Sequence, residues 1–295
     1  MQLLTITFVM RDFLKRTFLN RTLLKKLWVL ALLSLTAGFA VAEDGVSFDV
    51  NDIIDRANRA SYYLGADGRA QVQMLIIDEQ GRKRQRSFTI LRRDIPQSDA
   101  LEGRGYLGEQ LFYVYFNRPA DVNKMAFLVH KKLDGDDDRW LYLPALDLVK
   151  RIAASDKRTS FVGSDYFYED VSGRSIDADN HELVEETPDH YVLRHRPKDA
   201  DSVEFDHYIM YVQKESFIPV LTEYFDSNGD KYRVAKALKV ETIEGYPTVT
   251  QASMENLKTG GKTLMRYSRV GYDVGIPEDI FSERYLRSAP MTYLR

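Results

Sequence analysis

The 295-residue sequence contains no cysteine. No disulfide can therefore form, and no thiolate can serve as a nucleophile or as a zinc ligand. Bacterial lipoproteins are acylated on an N-terminal cysteine, so this chain cannot carry that anchor itself.

Familiar catalytic and cofactor motifs are missing as well. The sequence has no G-x-S-x-G elbow, no H-E-x-x-H pair, no P-loop and no G-x-G-x-x-G. No two of its five histidines stand at the spacing of metal ligands on a helix, and His190 and His195 point to opposite faces of one predicted strand. We therefore expect neither a catalytic residue nor a metal or other cofactor.

An acidic run at residues 134–138 resembles the start of a calcium loop. Its aspartates match the first, third and fifth positions, but Arg139 stands where the loop needs glycine and Ala145 where it needs glutamate. The run instead predicts a polar hairpin turn.

Only one strongly apolar run occurs, at residues 27–41. A basic stretch precedes it, and Ala40-Val41-Ala42 ends it. This layout predicts a signal peptide over residues 1–42, cleaved after Ala42, and the run is shorter than the roughly 20 residues of a membrane-spanning helix. We expect an exported protein in the periplasm, with residues 43–295 as one domain.

Charge argues against a nucleic-acid partner. The formal net charge of the chain is -3, and removing residues 1–42 takes away six basic residues and one acidic residue, which changes it to -8. Non-specific nucleic-acid binding depends on neutralising phosphates, so an acidic exported protein is a poor candidate.

Hydrophobic periodicity predicts a mainly β, α+β protein. Residues 47–63 form a predicted helix with Asp49 as N-cap and apolar residues at i, i+3, i+4 and i+7. After Gly65, about eleven short alternating or apolar runs predict a large antiparallel sheet. Residues 155–179, rich in serine, aspartate, glycine and aromatics, predict an irregular excursion.

Some predicted strands are apolar on both faces. Residues 111–116 and 125–129 show no polar face, so both sides of the sheet must be covered there. Two interpretations stay open: a sandwich core, or a curved sheet around a cavity large enough for a lipid. The 18 tyrosines and 15 phenylalanines would suit such a lining.

Two segments carry a family resemblance. Residues 137–152 (DDRWLYLPALDLVKRI) and 160–171 (SFVGSDYFYEDV) resemble the signature of the outer membrane lipoprotein-sorting protein family of LolA-like proteins. The resemblance implies an unclosed β-barrel with covering helices, as in LolA-, LolB- and RseB-type lipid-binding proteins.

The resemblance also implies a function. It is that of a periplasmic carrier which binds a lipid or an acylated lipoprotein in an apolar cavity, meets membranes transiently and works with an inner-membrane RND-type exporter. The cargo stays open between a lipoprotein and a lipid such as a hopanoid-like molecule or a glycolipid. The helix at residues 50–60 and the excursion are the candidate lids.

Alternation along the strands gives candidate cargo-facing residues, for each of which ordinary core packing is the alternative. They are Met74, Ile76, Phe88, Ile90, Phe112, Val114, Phe127, Trp140, Tyr142 and Met210.

Other readings of the sequence remain. Lys150 and Arg151 could meet an anionic head group or a transporter surface, although a solvated strand end also explains them. A lipid- or lipoprotein-sensing regulatory module is an alternative to a carrier, and a periplasmic hydrolase using residues 136–138 or Asp165 is a third hypothesis.

Overall fold

The computed structural model describes residues 48–96 and 108–295. The predicted signal peptide, residues 1–42, lies outside the described residues, as do residues 97–107 between the second and third strands. The helices of the described ranges are too short or too polar to span a lipid bilayer.

A single antiparallel sheet dominates the described residues. Its thirteen strands are β1 (Asp67–Ile77), β2 (Lys83–Pro96), β3 (Gly108–Arg118), β4 (Ala126–Lys131), β5 (Asp138–Leu143), β6 (Leu148–Ile152), β7 (Asp179–Glu186), β8 (His190–Pro197), β9 (His207–Gln213), β10 (Pro219–Phe225), β11 (Lys231–Ile243), β12 (Tyr246–Asn256) and β13 (Gly261–Tyr272). The helices are α1 (Val50–Tyr62), α2 (Tyr168–Ser172) and α3 (Glu283–Arg287).

The sheet is unclosed. Its strand order is β6-β5-β4-β3-β2-β1-β13-β12-β11-β10-β9-β8-β7, so β6 and β7 are its two edges. The mainly β, unclosed architecture predicted from the sequence is confirmed, with thirteen strands instead of about eleven. The sequence pattern missed β7 because this edge strand is largely exposed and therefore has few apolar residues.

Strands that are far apart in the sheet order line one cavity, which shows that the sheet curves. Phe112 on β3 and Thr222 on β10 line the same cavity, although five strands separate β3 from β10 in the sheet order. We call the face that carries Phe112 the inner face and the opposite one the outer face.

The inner face of β1–β5 is packed against residues 155–179, which we call the excursion segment. Phe161 and Tyr168 of this segment join Phe88, Phe116 and Phe127 in one buried cluster. The Phe161 and Phe127 ring centroids lie 5.5 Å apart. The irregular excursion predicted from the sequence is therefore present and supplies the inner cover of these strands.

The outer face of β2–β5 is covered by residues 276–294, which we call the C-terminal segment. Ile276, Phe281 and Leu286 are buried in a cluster with outer-face residues such as Tyr113. The Tyr113 hydroxyl also donates to the Tyr285 carbonyl at 2.7 Å. This double cover explains why β3 and β4 are apolar on both faces, as the sequence predicted.

Helix α1 lies across the opposite half of the sheet. Asp49 caps its N-terminus by accepting a hydrogen bond from the Asp52 N–H at 2.9 Å, as predicted. Its apolar face carries Ile53, Ile54 and Ala57, which pack against β8 and β9. An amphipathic helix so placed buries its stripe on the sheet and leaves its polar face in solvent.

The predicted polar turn at residues 134–138 is confirmed as the connection between β4 and β5. Asp137 pairs there with Arg139 at 2.6 Å, and Asp138 pairs with Lys132 at 2.7 Å. These two carboxylates therefore form ion pairs with basic residues of the same hairpin.

Candidate functional site

A cavity of about 490 Å³ lies on the inner face, between α1, the excursion segment and the sheet. Its apolar wall includes Ile54 and Ala57 from α1, and Ile90, Phe112, Met210 and Ile218 from the strands and their connections. This volume falls within the 300–1,000 Å³ usual for ligand pockets. We call this space the cavity.

Helix α1 covers the cavity because both of its ends are attached to the sheet. Its first half packs on β8 and β9, while its C-terminal end is held from β2 by Arg92. The Arg92 guanidinium donates to the carbonyls of Tyr62 and, at 2.6 Å and 2.7 Å, of Leu64 and Gly65. These bonds satisfy carbonyls at and just beyond the end of the helix.

The end of α2 is hydrogen-bonded to Lys131 of β4 and lies against Tyr62 at the end of α1. The buried Lys131 ammonium donates to the Ser172 carbonyl at 2.6 Å and to the Gly173 carbonyl at 3.2 Å. Burial lowers the pKa of Lys131 to about 8. Gly173 has φ +78°, and a Cβ there would come within 2.7 Å of the Tyr62 hydroxyl, so only glycine fits between the two helix ends.

A buried network of charges forms the second wall of the cavity. Glu169 of α2 accepts from Arg158 at 2.6 Å and lies 3.5 Å from Arg174. Arg174 also donates to Asp179, the first residue of β7, at 2.8 Å. Burial by itself would lower the pKa of Arg174. The bonds to Asp179 outweigh this effect, so the pKa of Arg174 is raised. The network joins the excursion segment to the edge of the sheet.

Tyrosines give the cavity much of its polar surface. Tyr62, Tyr166, Tyr208, Tyr224, Tyr267 and Tyr272 all line it. Burial raises the pKa of each of these phenols, so they are neutral near pH 7. The cavity thus combines an apolar wall with uncharged hydrogen-bonding groups.

The structure divides the ten predicted cargo-facing residues among three places. Ile90, Phe112 and Met210 line the cavity. Met74, Ile76, Phe88, Val114 and Phe127 share the inner face but are packed beneath the excursion segment. Trp140 and Tyr142 pack in the outer-face cluster with the C-terminal segment. Contact of any of them with a lipid stays a prediction.

Sequence reasoning missed several residues of the cavity. The tyrosines lie on elements far apart in the chain, and no spacing rule brings them together. His181 and His195 also line the cavity and face each other across β7 and β8, a pairing that required the unpredicted strand β7.

The residues proposed for hydrolysis have structural partners. Asp165 accepts from the Thr263 hydroxyl at 2.7 Å, and Asp136 lies 3.7 Å from Lys157. Within residues 48–96 and 108–295, no three histidine, aspartate or glutamate side chains are grouped as metal ligands would be.

The chain is similar to several known proteins. A family model described as "Uncharacterized protein" matches residues 108–288, which is more than half of the chain. A DUF1329 family protein from Desulfovibrio piger is 29% identical, with a TM-score of 0.70 over 81% of this chain and 100% of that one. A putative outer membrane lipoprotein-sorting protein domain from Vibrio parahaemolyticus is 25% identical, with a TM-score of 0.70 over 81% and 98%.

The chain belongs to the family whose model matches residues 108–288, and it is similar to an outer membrane lipoprotein-sorting protein domain. Its fold is LolA-like: a LolA superfamily protein from Nitrosomonas europaea, 18% identical, gives a TM-score of 0.61 over 81% of this chain and 100% of that one. Among curated proteins, none matches this sequence. The family resemblance carried by residues 137–152 and 160–171 is confirmed, and both segments lie within the matched range.

Proposed function

We propose that this protein is a non-enzymatic carrier that holds the hydrocarbon of a lipid or of an acylated lipoprotein in the cavity. The observation that supports the proposal is the cavity itself, about 490 Å³ of partly apolar space beneath α1. A fully packed inner face would leave no room for cargo. The relatives that share the fold include a protein named as a lipoprotein-sorting domain.

Energetics explain why a carrier needs such a cavity. Each methylene removed from water contributes about 0.8 kcal/mol. A chain of about 16 carbons would therefore cost on the order of 12 kcal/mol to expose during transfer. A soluble protein can supply the required apolar surroundings only from its interior.

Release of the cargo requires a cover that moves. Both candidate lids border the cavity: Ile54 and Ala57 belong to α1, and Tyr166 and Val171 belong to the excursion segment. A membrane or an acceptor protein that binds the open state better would shift the equilibrium towards it.

We place this function in the periplasm. The proposal rests on the predicted signal peptide at residues 1–42 and on the family. An inner-membrane RND-type exporter is the proposed partner, and membrane contact is proposed to be transient.

A lipid-sensing regulatory module is the second candidate. It would use the same cavity but pass the signal to a protein partner. Transfer of cargo between vesicles separates the two functions, because a carrier accelerates the transfer and a sensor does not.

The decisive experiment narrows the cavity. Ala235 faces Thr222 across β10 and β11, and both line the cavity. We expect Ala235→Trp to fill part of the space and to lower the binding of a fluorescent acyl probe by about tenfold or more. Leu238→Trp is the matched control, since Leu238 lies on the same strand and is 49% exposed. Undiminished binding by a folded Ala235→Trp variant would contradict the proposal.

A further inference from the structure

Three of the cavity's tyrosines have unused hydroxyl groups. Tyr62 at the end of α1, Tyr166 in the excursion segment and Tyr224 on β10 line the cavity, and within the described ranges no protein group is hydrogen-bonded to their hydroxyls, which are not sealed from solvent. The other cavity phenols differ. The Tyr208 hydroxyl donates to Asp179 at 2.8 Å, and that of Tyr272 lies 2.7 Å from the Thr248 hydroxyl.

The three phenols are neutral hydrogen-bonding groups. Burial raises the pKa of Tyr224 to about 12 and moves the pKa of Tyr62 and of Tyr166 further above its ordinary value. Water that enters the cavity can satisfy these hydroxyls, and a ligand oxygen can replace that water and accept or donate the same hydrogen bonds.

Most charged groups at the cavity are already paired with an opposite charge; Arg69 instead donates to the Arg295 carbonyl at 2.6 Å. Arg158 is bonded to Glu169 and, at 2.6 Å, to Glu204, while Arg174 is bonded to Asp179. The Asp170 carboxylate is bonded to Arg233, which also lies 4.0 Å from the centre of the Phe167 ring.

An ionised head group that binds at Arg158, Arg174 or Asp170 would therefore have to break one of these pairs. Breaking it leaves a buried charge without its partner, which carries a large desolvation penalty. A neutral oxygen meets no such penalty at the three phenols.

We propose that the polar end of the cargo is an uncharged oxygen-bearing group, such as a hydroxyl, ester or ether, bound inside the cavity by Tyr62, Tyr166 and Tyr224. The hydrocarbon then lies against Ile90, Phe112 and the rest of the apolar wall. This inference rests on the proposed function and names the chemical class of its ligand.

The test compares probes that share a hydrocarbon chain and differ at the polar end. The full mature chain is equilibrated at pH 8 with 1-hexadecanol, methyl palmitate, palmitate or n-hexadecane, each delivered from cyclodextrin, and bound probe is measured by mass spectrometry. We expect the alcohol and the ester to bind about tenfold more tightly than palmitate or the alkane.

Single substitutions then locate the polar site. Tyr62→Phe, Tyr166→Phe and Tyr224→Phe should each weaken binding of the alcohol about three- to tenfold, which is the usual worth of one hydrogen bond, and leave binding of the alkane unchanged. Tyr113→Phe is the matched control, because its hydroxyl lies on the outer face and donates to Tyr285. It should change neither affinity.

Each other outcome has a defined meaning. Palmitate binding as tightly as the alcohol, or phenylalanine variants that weaken alkane and alcohol equally, would overturn the polar site and leave the carrier function standing. A folded protein that binds none of the four probes would overturn the proposed function itself.

Discussion

The Nδ1 atoms of His181 and His195 lie 2.8 Å apart across β7 and β8. His181 Nε2 lies 2.8 Å from the Ile176 carbonyl, which can only accept, so Nε2 carries a proton. In the neutral pair, His195 Nδ1 therefore donates to His181. His195 also stacks on Tyr208 with ring centroids 4.3 Å apart, and the two imidazoles help to form the cavity wall.

This pair predicts a loss of stability in acid. Burial, and then His181, lower the pKa of His195 well below its usual value. Below about pH 6.5, His195 is protonated in the unfolded chain but stays neutral in the folded protein. The free energy of unfolding therefore decreases as the pH falls, by at most about 1.4 kcal/mol per pH unit. Urea denaturation of the wild type and of His195→Phe between pH 5 and 7 measures how much His195 contributes to the pH dependence of the free energy of unfolding.

The variant should show a shallower dependence on pH. Phenylalanine keeps a ring against Tyr208 and cannot be protonated, and His195→Gln, which does not titrate either, should have the same shallow slope. Parallel stability curves for the wild type and both variants would show that His195 contributes nothing to the acid sensitivity.

Phe161 is expected to anchor the excursion segment. Its ring is buried among Phe88, Phe116 and Phe127, so Phe161→Ala should lower the free energy of unfolding by about 3–5 kcal/mol. Leu146→Ala, at a residue that is 69% exposed, is the control and should stay within about 0.5 kcal/mol of the wild type. A loss below about 1 kcal/mol for Phe161→Ala would mean that the segment is held by its polar contacts alone.

Gly173 is expected to tolerate no side chain. Its φ of 78° and ψ of 150° belong to a region that is almost restricted to glycine, and a Cβ would strike Tyr62. We expect Gly173→Ala to destabilise the protein by at least about 2 kcal/mol. Thermal or urea denaturation gives the value.

A second glycine provides the comparison. Gly229 also has positive φ, at 82°, but a Cβ there would meet open space. Gly229→Ala should therefore cost only about 1 kcal/mol of backbone strain. Repeating Gly173→Ala in a Tyr62→Leu background should recover part of the loss, and equal losses in both backgrounds would rule out a clash with the ring.

Much of the fold could be predicted from local pattern. Helix α1 and its Asp49 cap follow from residues whose spacing and side chains act within one helical turn. The long β succession and the double cover of β3 were predicted for the same reason, since burial on both faces leaves a continuous apolar run. Strand β7 was not predicted, because an exposed edge strand does not need alternating apolar residues.

The candidate site was predictable only in part. Alternation placed Ile90, Phe112 and Met210 on the inner face, and these residues do line the cavity. The same alternation selected Phe88 and Phe127, which lie on the inner face but beneath Phe161. The alternation of residues along a strand predicts which face of the sheet a side chain lies on. It does not predict which other segment packs against that face.

The sequence by itself determined the family, the antiparallel sheet and the leading helix, because these depend on periodicities and motifs within short stretches of chain. Only the tertiary structure decided where space was left open and which polar groups surround it. Tyr62, Tyr166 and Tyr224 come together because the curved sheet returns β10 towards the end of α1 and the excursion segment. Such proximity depends on the curvature of the whole sheet, and short-range sequence patterns do not encode it.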